Sequence, residues 1–71
     1  MYELKLLGNK LKELRLQKEK SLEEVAQSIG STKSLLSKYE RGASVPGLTP
    51  IIKLSKYYGI SLDDLVDALK L

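Results

Sequence analysis

Residues 21–42 read Ser-Leu-Glu-Glu-Val-Ala-Gln-Ser-Ile-Gly-Ser-Thr-Lys-Ser-Leu-Leu-Ser-Lys-Tyr-Glu-Arg-Gly, and the spacing within them predicts two short helices and a tight turn. Leu22, Val25, Ala26 and Ile29 recur at intervals of three and four, which puts them on one face of a helix. Ser21, followed three residues later by Glu24, is a capping box that sets where this helix begins. Gly30 stops it, because the residue past a helix end often takes a positive φ that costs glycine nothing. Ser31 or Thr32 then caps a further helix that runs to about Arg41, before Gly42.

A turn of three or four residues containing glycine is too short for long antiparallel helices and suits a crossing of about 90–120°. Close crossing needs a small side chain where the backbones meet, and Ala26 stands four residues before Gly30. Leu36 and Tyr39 follow six and nine residues beyond Gly30, where they return to the core. This is the spacing of a helix-turn-helix.

Outward from this unit the same periodicity continues. Leu4, Leu7, Leu11 and Leu14 give a first helix of about four turns. Gly8 inside it costs about 0.5–1 kcal/mol relative to alanine, which implies close approach of another helix. Ala43–Gly47 reads as a loop, and Thr49-Pro50 as a cap followed by proline at the first helical position. Ile51, Leu54, Ser55 and Tyr58 face the core from a fourth helix that Gly59 ends. Ser61 with Asp64 predicts a second capping box, and Leu62, Leu65, Val66 and Leu69 the buried face of a fifth helix. Leu6, Leu16, Leu35, Ile52 and Tyr57 fall off these stripes. The expectation is an all-α, compact five-helix fold forming a single domain over residues 1–71.

Composition supports this reading. Leu, Ile and Val make 22 of the 71 residues, enough for a core, while good helix formers number 39 against nine Val, Ile and Thr. Neither cysteine nor histidine is present, which excludes disulfides, thiolate or imidazole metal sites, and catalytic triads built on either residue. The paired acids Glu23-Glu24 and Asp63-Asp64 sit in first turns, where the helix dipole favours anions, so capping explains them and acid/base catalysis is not needed. No Ser-x-x-Lys pair occurs, and neither an enzyme, a cofactor nor a small-molecule site is expected. Apolar runs are far too short for a membrane span, and Met1–Lys5 lacks the apolar core of a secretory signal, so a cytoplasmic location is expected.

The formal net charge is +3, and it is unevenly placed. Residues 1–42 carry nine basic and six acidic groups, whereas 43–71 carry three of each. A polyanion should therefore meet the first two thirds of the chain. With Leu36 and Tyr39 turned inward, the outward face of the third helix presents Lys33, Ser34, Ser37, Lys38 and Arg41, with no acid among them. Lysine donates to guanine O6 and N7, serine pairs with several base edges, and a helix fits the ~12 Å major groove.

Residues 7–66 resemble the lambda-repressor-like (Cro/CI-type, Xre) helix-turn-helix family. The matching residues are Leu7-Gly8, Leu11 and Leu14-Arg15; Ser21 to Ala26 with Ile29-Gly30; Ser37 to Gly42; Pro46; and Leu54 with Gly59 to Leu65. The resemblance implies that Lys33, Ser34, Ser37 and Lys38 touch bases. It implies phosphate contacts from Lys20, Ser21, Thr32, Arg41 and Ser44. It also implies that Arg15 and Glu40 pair between the first and third helices, locking the reading helix. The family usually has glutamine just after the capping serine; here Leu22 stands instead, and its three-four spacing favours packing inward. The loop that often carries Lys or Arg is neutral at Ala43, Val45 and Gly47.

The function implied is sequence-specific binding of double-stranded DNA by a transcriptional regulator, a repressor acting as a homodimer on a palindromic operator. Two half-sites would lie about 10 bp apart. The dimer seam expected by resemblance lies on the fourth and fifth helices, with Ile52, Tyr57 and the tail Leu69-Lys70-Leu71. A different class of function, a protein-interaction module such as an antirepressor or adaptor, would use the same scaffold and an apolar patch around Leu16, Leu22 or Leu35.

Overall fold

Five helices follow one another in the computed structural model, which describes residues 4–67: α1 (Leu4–Gln17), α2 (Leu22–Ile29), α3 (Lys33–Glu40), α4 (Leu48–Tyr58) and α5 (Leu62–Asp67). The core takes Leu7 and Leu11 from α1, Val25, Ala26 and Ile29 from α2, and Leu36 and Tyr39 from α3. Leu54 of α4 and Leu65 of α5 close it. No described helix is long and apolar enough to cross a membrane.

The apolar stripes are narrower or wider than their spacing suggests in three places. Val66 is 47% exposed, because it lies about 100° around α5 from the fully buried Leu65. Leu35 and Tyr57 pack against the edge of the core although they fall off the main stripes, since helices buried between two neighbours use more than one face. Leu69 lies outside the described residues, as do Lys70 and Leu71.

Helix boundaries follow local hydrogen bonding. The α2 box is complete: Glu24 N–H donates to Ser21 Oγ at 3.1 Å, and Ser21 N–H donates to Glu24 Oε1 at 2.9 Å. At α5 the Asp64 N–H donates to Ser61 Oγ at 3.1 Å, without a return bond from Ser61 N–H to the Asp64 carboxylate. Aspartate is one methylene shorter than the Glu or Gln that reaches back in a full box, so only half of it forms. The expected Thr49 cap is displaced as well. Ile51 N–H donates to the Gly47 carbonyl at 3.1 Å, so Gly47 is the cap and α4 starts at Leu48. Pro50 then occupies the third helical position, where its missing N–H is still one of the four without an intrahelical partner.

The first four helices end alike. Lys20, Ser31, Ala43 and Ile60 donate their N–H to carbonyls five residues back, at 3.2, 2.8, 2.9 and 3.0 Å. The preceding residue is left-handed in each case: Gly30, Gly42 and Gly59, but Glu19 (φ 56°) after α1. Lys53 of α4 donates from Nζ to the Ile29 carbonyl at 3.3 Å, placing a cation at the negative end of α2.

The contact of α1 with α3 sets the position of everything that follows. A Cβ on Gly8 would collide with the carbonyl oxygen of Glu40 and lie 2.7 Å from that of Tyr39. Glycine therefore lets the last turn of α3 rest directly on the α1 backbone.

Candidate nucleic-acid interface

Burial of Leu36 and Tyr39 fixes the rotation of α3 and turns Lys33, Ser34 and Lys38 outward, all exposed. Ser37 is half-buried and accepts a hydrogen bond on Oγ from Arg41 Nε at 3.2 Å. That bond lays the Arg41 guanidinium back along the helix. The outward surface of α3 is thus cationic and hydroxylic, with no acid on it.

Glu40 belongs to α3 but faces α1. Arg15 Nε donates to Glu40 Oε2 at 2.8 Å, and Arg15 Nη2 donates to Oε1 at 3.0 Å. A third bond runs from Arg15 Nη1 to the Lys20 carbonyl at 3.0 Å. Both side chains are largely buried, with 12% and 9% exposed. The Glu40 hydrogen bond raises the Arg15 pKa above its ordinary value, against the opposing effect of burial. Tyr58 of α4 is half-buried nearby; burial first, then the Glu40 charge, pushes its phenol well above the usual tyrosine range. The two parallel Arg15–Glu40 bonds fix α3 in angle as well as position.

The remaining phosphate candidates divide between two helix starts. Ser21 and Thr32 are the caps of α2 and α3, and both hydroxyl oxygens accept a backbone N–H, from Glu24 and from Leu35 at 3.2 Å. The Thr32 O–H proton remains available as a donor, together with the N–H groups of the first two residues of each helix, while the Ser21 hydroxyl is engaged by the Glu24 carboxylate. Lys20 lies 3.9 Å from Glu24, so its charge is shared with an acid. Backbone and hydroxyl bonds from Ser21 hold the Glu24 carboxyl below the usual glutamate range, and Lys20 adds to this. Ser44 is half-buried in the loop after α3.

Leu22 packs against the core from its edge. It also separates two shallow grooves. One, about 350 Å³, lies between Arg15, Ser21, Glu23 and Lys33. The other, about 430 Å³, runs between α1 and α3 and is lined by Lys5, Asn9, Lys12, Ser37 and Arg41 over the Arg15–Glu40 pair. Lys5, Asn9 and Lys12 escaped the sequence reading, which followed the apolar stripe of the first helix. Their own spacing of four and three marks a polar stripe beside it.

Residues 11–65 match the helix-turn-helix family HTH_3. The chain belongs to this lambda-repressor-like family. Similar sequences include the cryptic phage CTXphi transcriptional repressor RstR of Vibrio cholerae, 36% identical over 61 residues, covering 86% of this chain and 55% of that protein. An SPbeta prophage-derived helix-turn-helix regulator of Bacillus subtilis, YonR, is also 36% identical over 61 residues, covering 86% of this chain and 56% of its own. The chain spans about half the length of these two curated relatives. Among solved structures, the clp gene regulator ClgR from Corynebacterium glutamicum superposes with a TM-score of 0.84 at 25% identity, covering 94% of this chain and 72% of that one.

Proposed function

We propose that the chain is a transcriptional regulator, active in the cytoplasm, that binds double-stranded DNA by inserting α3 into the major groove. The observation that carries this is the outward face of α3. It holds Lys33, Ser34, Ser37 and Lys38 without an acid, on a helix pinned from behind by the Arg15–Glu40 bonds. Lys33, at the first position of α3, would donate to guanine O6 and N7, and the serines would pair with adjacent base edges. Arg41, the caps Ser21 and Thr32, Lys20 and Ser44 would serve the sugar-phosphate backbone, whose contacts set register without reading sequence.

Repression is the favoured outcome, supported by the repressor name of the Vibrio cholerae relative. A domain of this kind represses by occupying a promoter. A homodimer, joined through α4 and α5 with Ile52 and Tyr57 in the seam, would present two copies of α3 to half-sites about 10 bp apart. The packing of Leu22 against the edge of the core leaves it only partly available as a protein-docking residue.

The test is fluorescence anisotropy with a duplex selected from a random pool and with a scrambled duplex of the same composition. Binding should favour the selected duplex and weaken with salt. Lys33→Ala should cost about 1–3 kcal/mol on the selected duplex and flatten its advantage. Equal affinity of the unaltered protein for the two duplexes would refute the proposal.

A further inference from the structure

We infer that the groove between α1 and α3 is a second phosphate-binding rail, in which Lys5, Asn9 and Lys12 grip the DNA backbone beside the groove that α3 enters. The inference rests on the proposed DNA-binding reading and extends it to a helix that the reading leaves unused.

The first argument is geometric. Lys5, Asn9 and Lys12 form one stripe of α1, and they share their groove with Ser37 and Arg41, which border the outward face of α3. A rise of ~1.5 Å per residue separates Lys5 from Lys12 by about 10 Å along the helix, enough to meet more than one phosphate. DNA lying on α3 thus has α1 alongside.

The second argument is charge. Arg15 and Glu40 neutralise one another on the groove floor. Lys5, Lys12 and Arg41 remain, three cations with no ion-pair partner among the described residues. The surroundings across Leu22 and beyond the end of α3 are different. At the start of α2, Glu23 and Glu24 stand beside Lys20, which is drawn to Glu24, and the loop Ala43–Gly47 has no cation at all. A polyanion docked on α3 is therefore attracted toward α1 and away from the acidic turn of α2. Asn9 adds a neutral amide donor between the two lysines.

Titrations of the selected and scrambled duplexes at 50–200 mM salt separate this rail from base reading. Each of Lys5→Ala and Lys12→Ala should reduce the slope of log K against log salt by about 0.9, and weaken both duplexes equally, with a loss roughly three- to fourfold greater at 50 mM than at 200 mM. The selected-to-scrambled ratio should stay unchanged, Lys12→Arg should retain the slope, and Asn9→Ala should lower affinity without altering it. Lysine variants with the parental slope, or with a loss confined to the selected duplex, would overturn the rail. If Lys33→Ala still flattened the preference in that case, the α3 reading would stand and only the rail would fall. No binding of the parent protein at 50 mM salt would remove both.

Discussion

The two helices of the helix-turn-helix are the same length, and they are held in opposite ways. Both α2 and α3 have eight residues. α2 is tied at each end, by the reciprocal Ser21–Glu24 box and by Lys53 reaching its last carbonyl. α3 has only Thr32 at its start. Its anchors gather at its finish, where Glu40 is gripped by Arg15, the backbone lies on Gly8, and Gly42 abuts the backbone of Lys5. The first turn of α2 carries two acids and that of α3 none. A helix that inserts into a polyanion has to keep its leading turns bare. On the proposed reading this leaves Lys33 and Ser34 free in the first turn of α3, while Ser37 and Lys38 share its last turn with the Glu40 anchor.

The sharpest way to break this contrast is to cut the fastening. Glu40→Ala leaves the Arg15 guanidinium largely buried with only the Lys20 carbonyl as partner, and should destabilise the fold by about 3–5 kcal/mol in urea unfolding. A domain this size is expected to hold only ~3–5 kcal/mol in total, so the variant should be largely unfolded at 37 °C. Arg15→Ala should do the same, and the double variant should cost less than the two single losses added. A loss below about 1 kcal/mol would place the pair with ordinary surface bridges. Gly8→Ala comes next. Its methyl group must displace the α3 backbone, for a loss of about 1–3 kcal/mol despite the better helix propensity of alanine. In residual folded protein, DNA affinity should fall as α3 is pushed from its seat.

The contrast also explains what could be read in advance. Apolar periodicity placed all five helices, because each contributes to a single core and burial enforces the three-four rhythm. The short turn at Gly30 and the small Ala26 located the crossing. Local chemistry with two solutions was harder. Gly47 and Thr49 are both acceptable helix starts, and the bond from Ile51 N–H to the Gly47 carbonyl marks Gly47 as the one used. The outward face of α3 was legible because Leu36 and Tyr39 define its opposite. The groove beside it was not, since Lys5 and Lys12 acquire meaning only when α3 folds back across Gly8.

At the start of α2 the effects are smaller. Ser21→Ala removes one half of a two-bond box and should cost about 1 kcal/mol. Thr32→Ala, which removes a one-way cap, should cost less in the same melt. The box also has a pH signature. Its bonds lower the Glu24 pKa in the folded state, so the stabilisation is present above the unfolded glutamate value and disappears as pH falls through the lower folded value. An NMR titration should find Glu24 below the usual glutamate range, and Ser21→Ala, which removes the hydroxyl but keeps the backbone N–H bond, should raise it part of the way back. A parental Glu24 midpoint within the usual glutamate range would mean that the carboxylate is not a working part of the cap.

The smallest effect runs the other way. Gly30 and Gly42 supply the left-handed residue after α2 and α3, but α1 uses Glu19, at φ 56°, for the same closing geometry. A side chain in that region costs about 1–2 kcal/mol, and glycine returns part of the gain through its more flexible unfolded chain. Glu19→Gly should therefore stabilise the domain by about 0.5–1 kcal/mol, shifting the urea midpoint upward at constant m. Glu19→Asn should fall between, and Glu19→Ala, which keeps a Cβ, should stay within about 0.5 kcal/mol of the parent. The converse substitutions then separate conformation from contact. Gly30→Ala meets nothing nearer than the flexible Lys53 Nζ at 3.9 Å, whereas Gly42→Ala brings a Cβ to 2.9 Å from the Lys5 backbone nitrogen. Gly30→Ala should lose about what Glu19→Gly gains, and Gly42→Ala distinctly more. Equal losses at the two glycines would mean that α3 is not held against α1 at its finish, and the distinction between a helix tied at both ends and one tied at a single end would fail there.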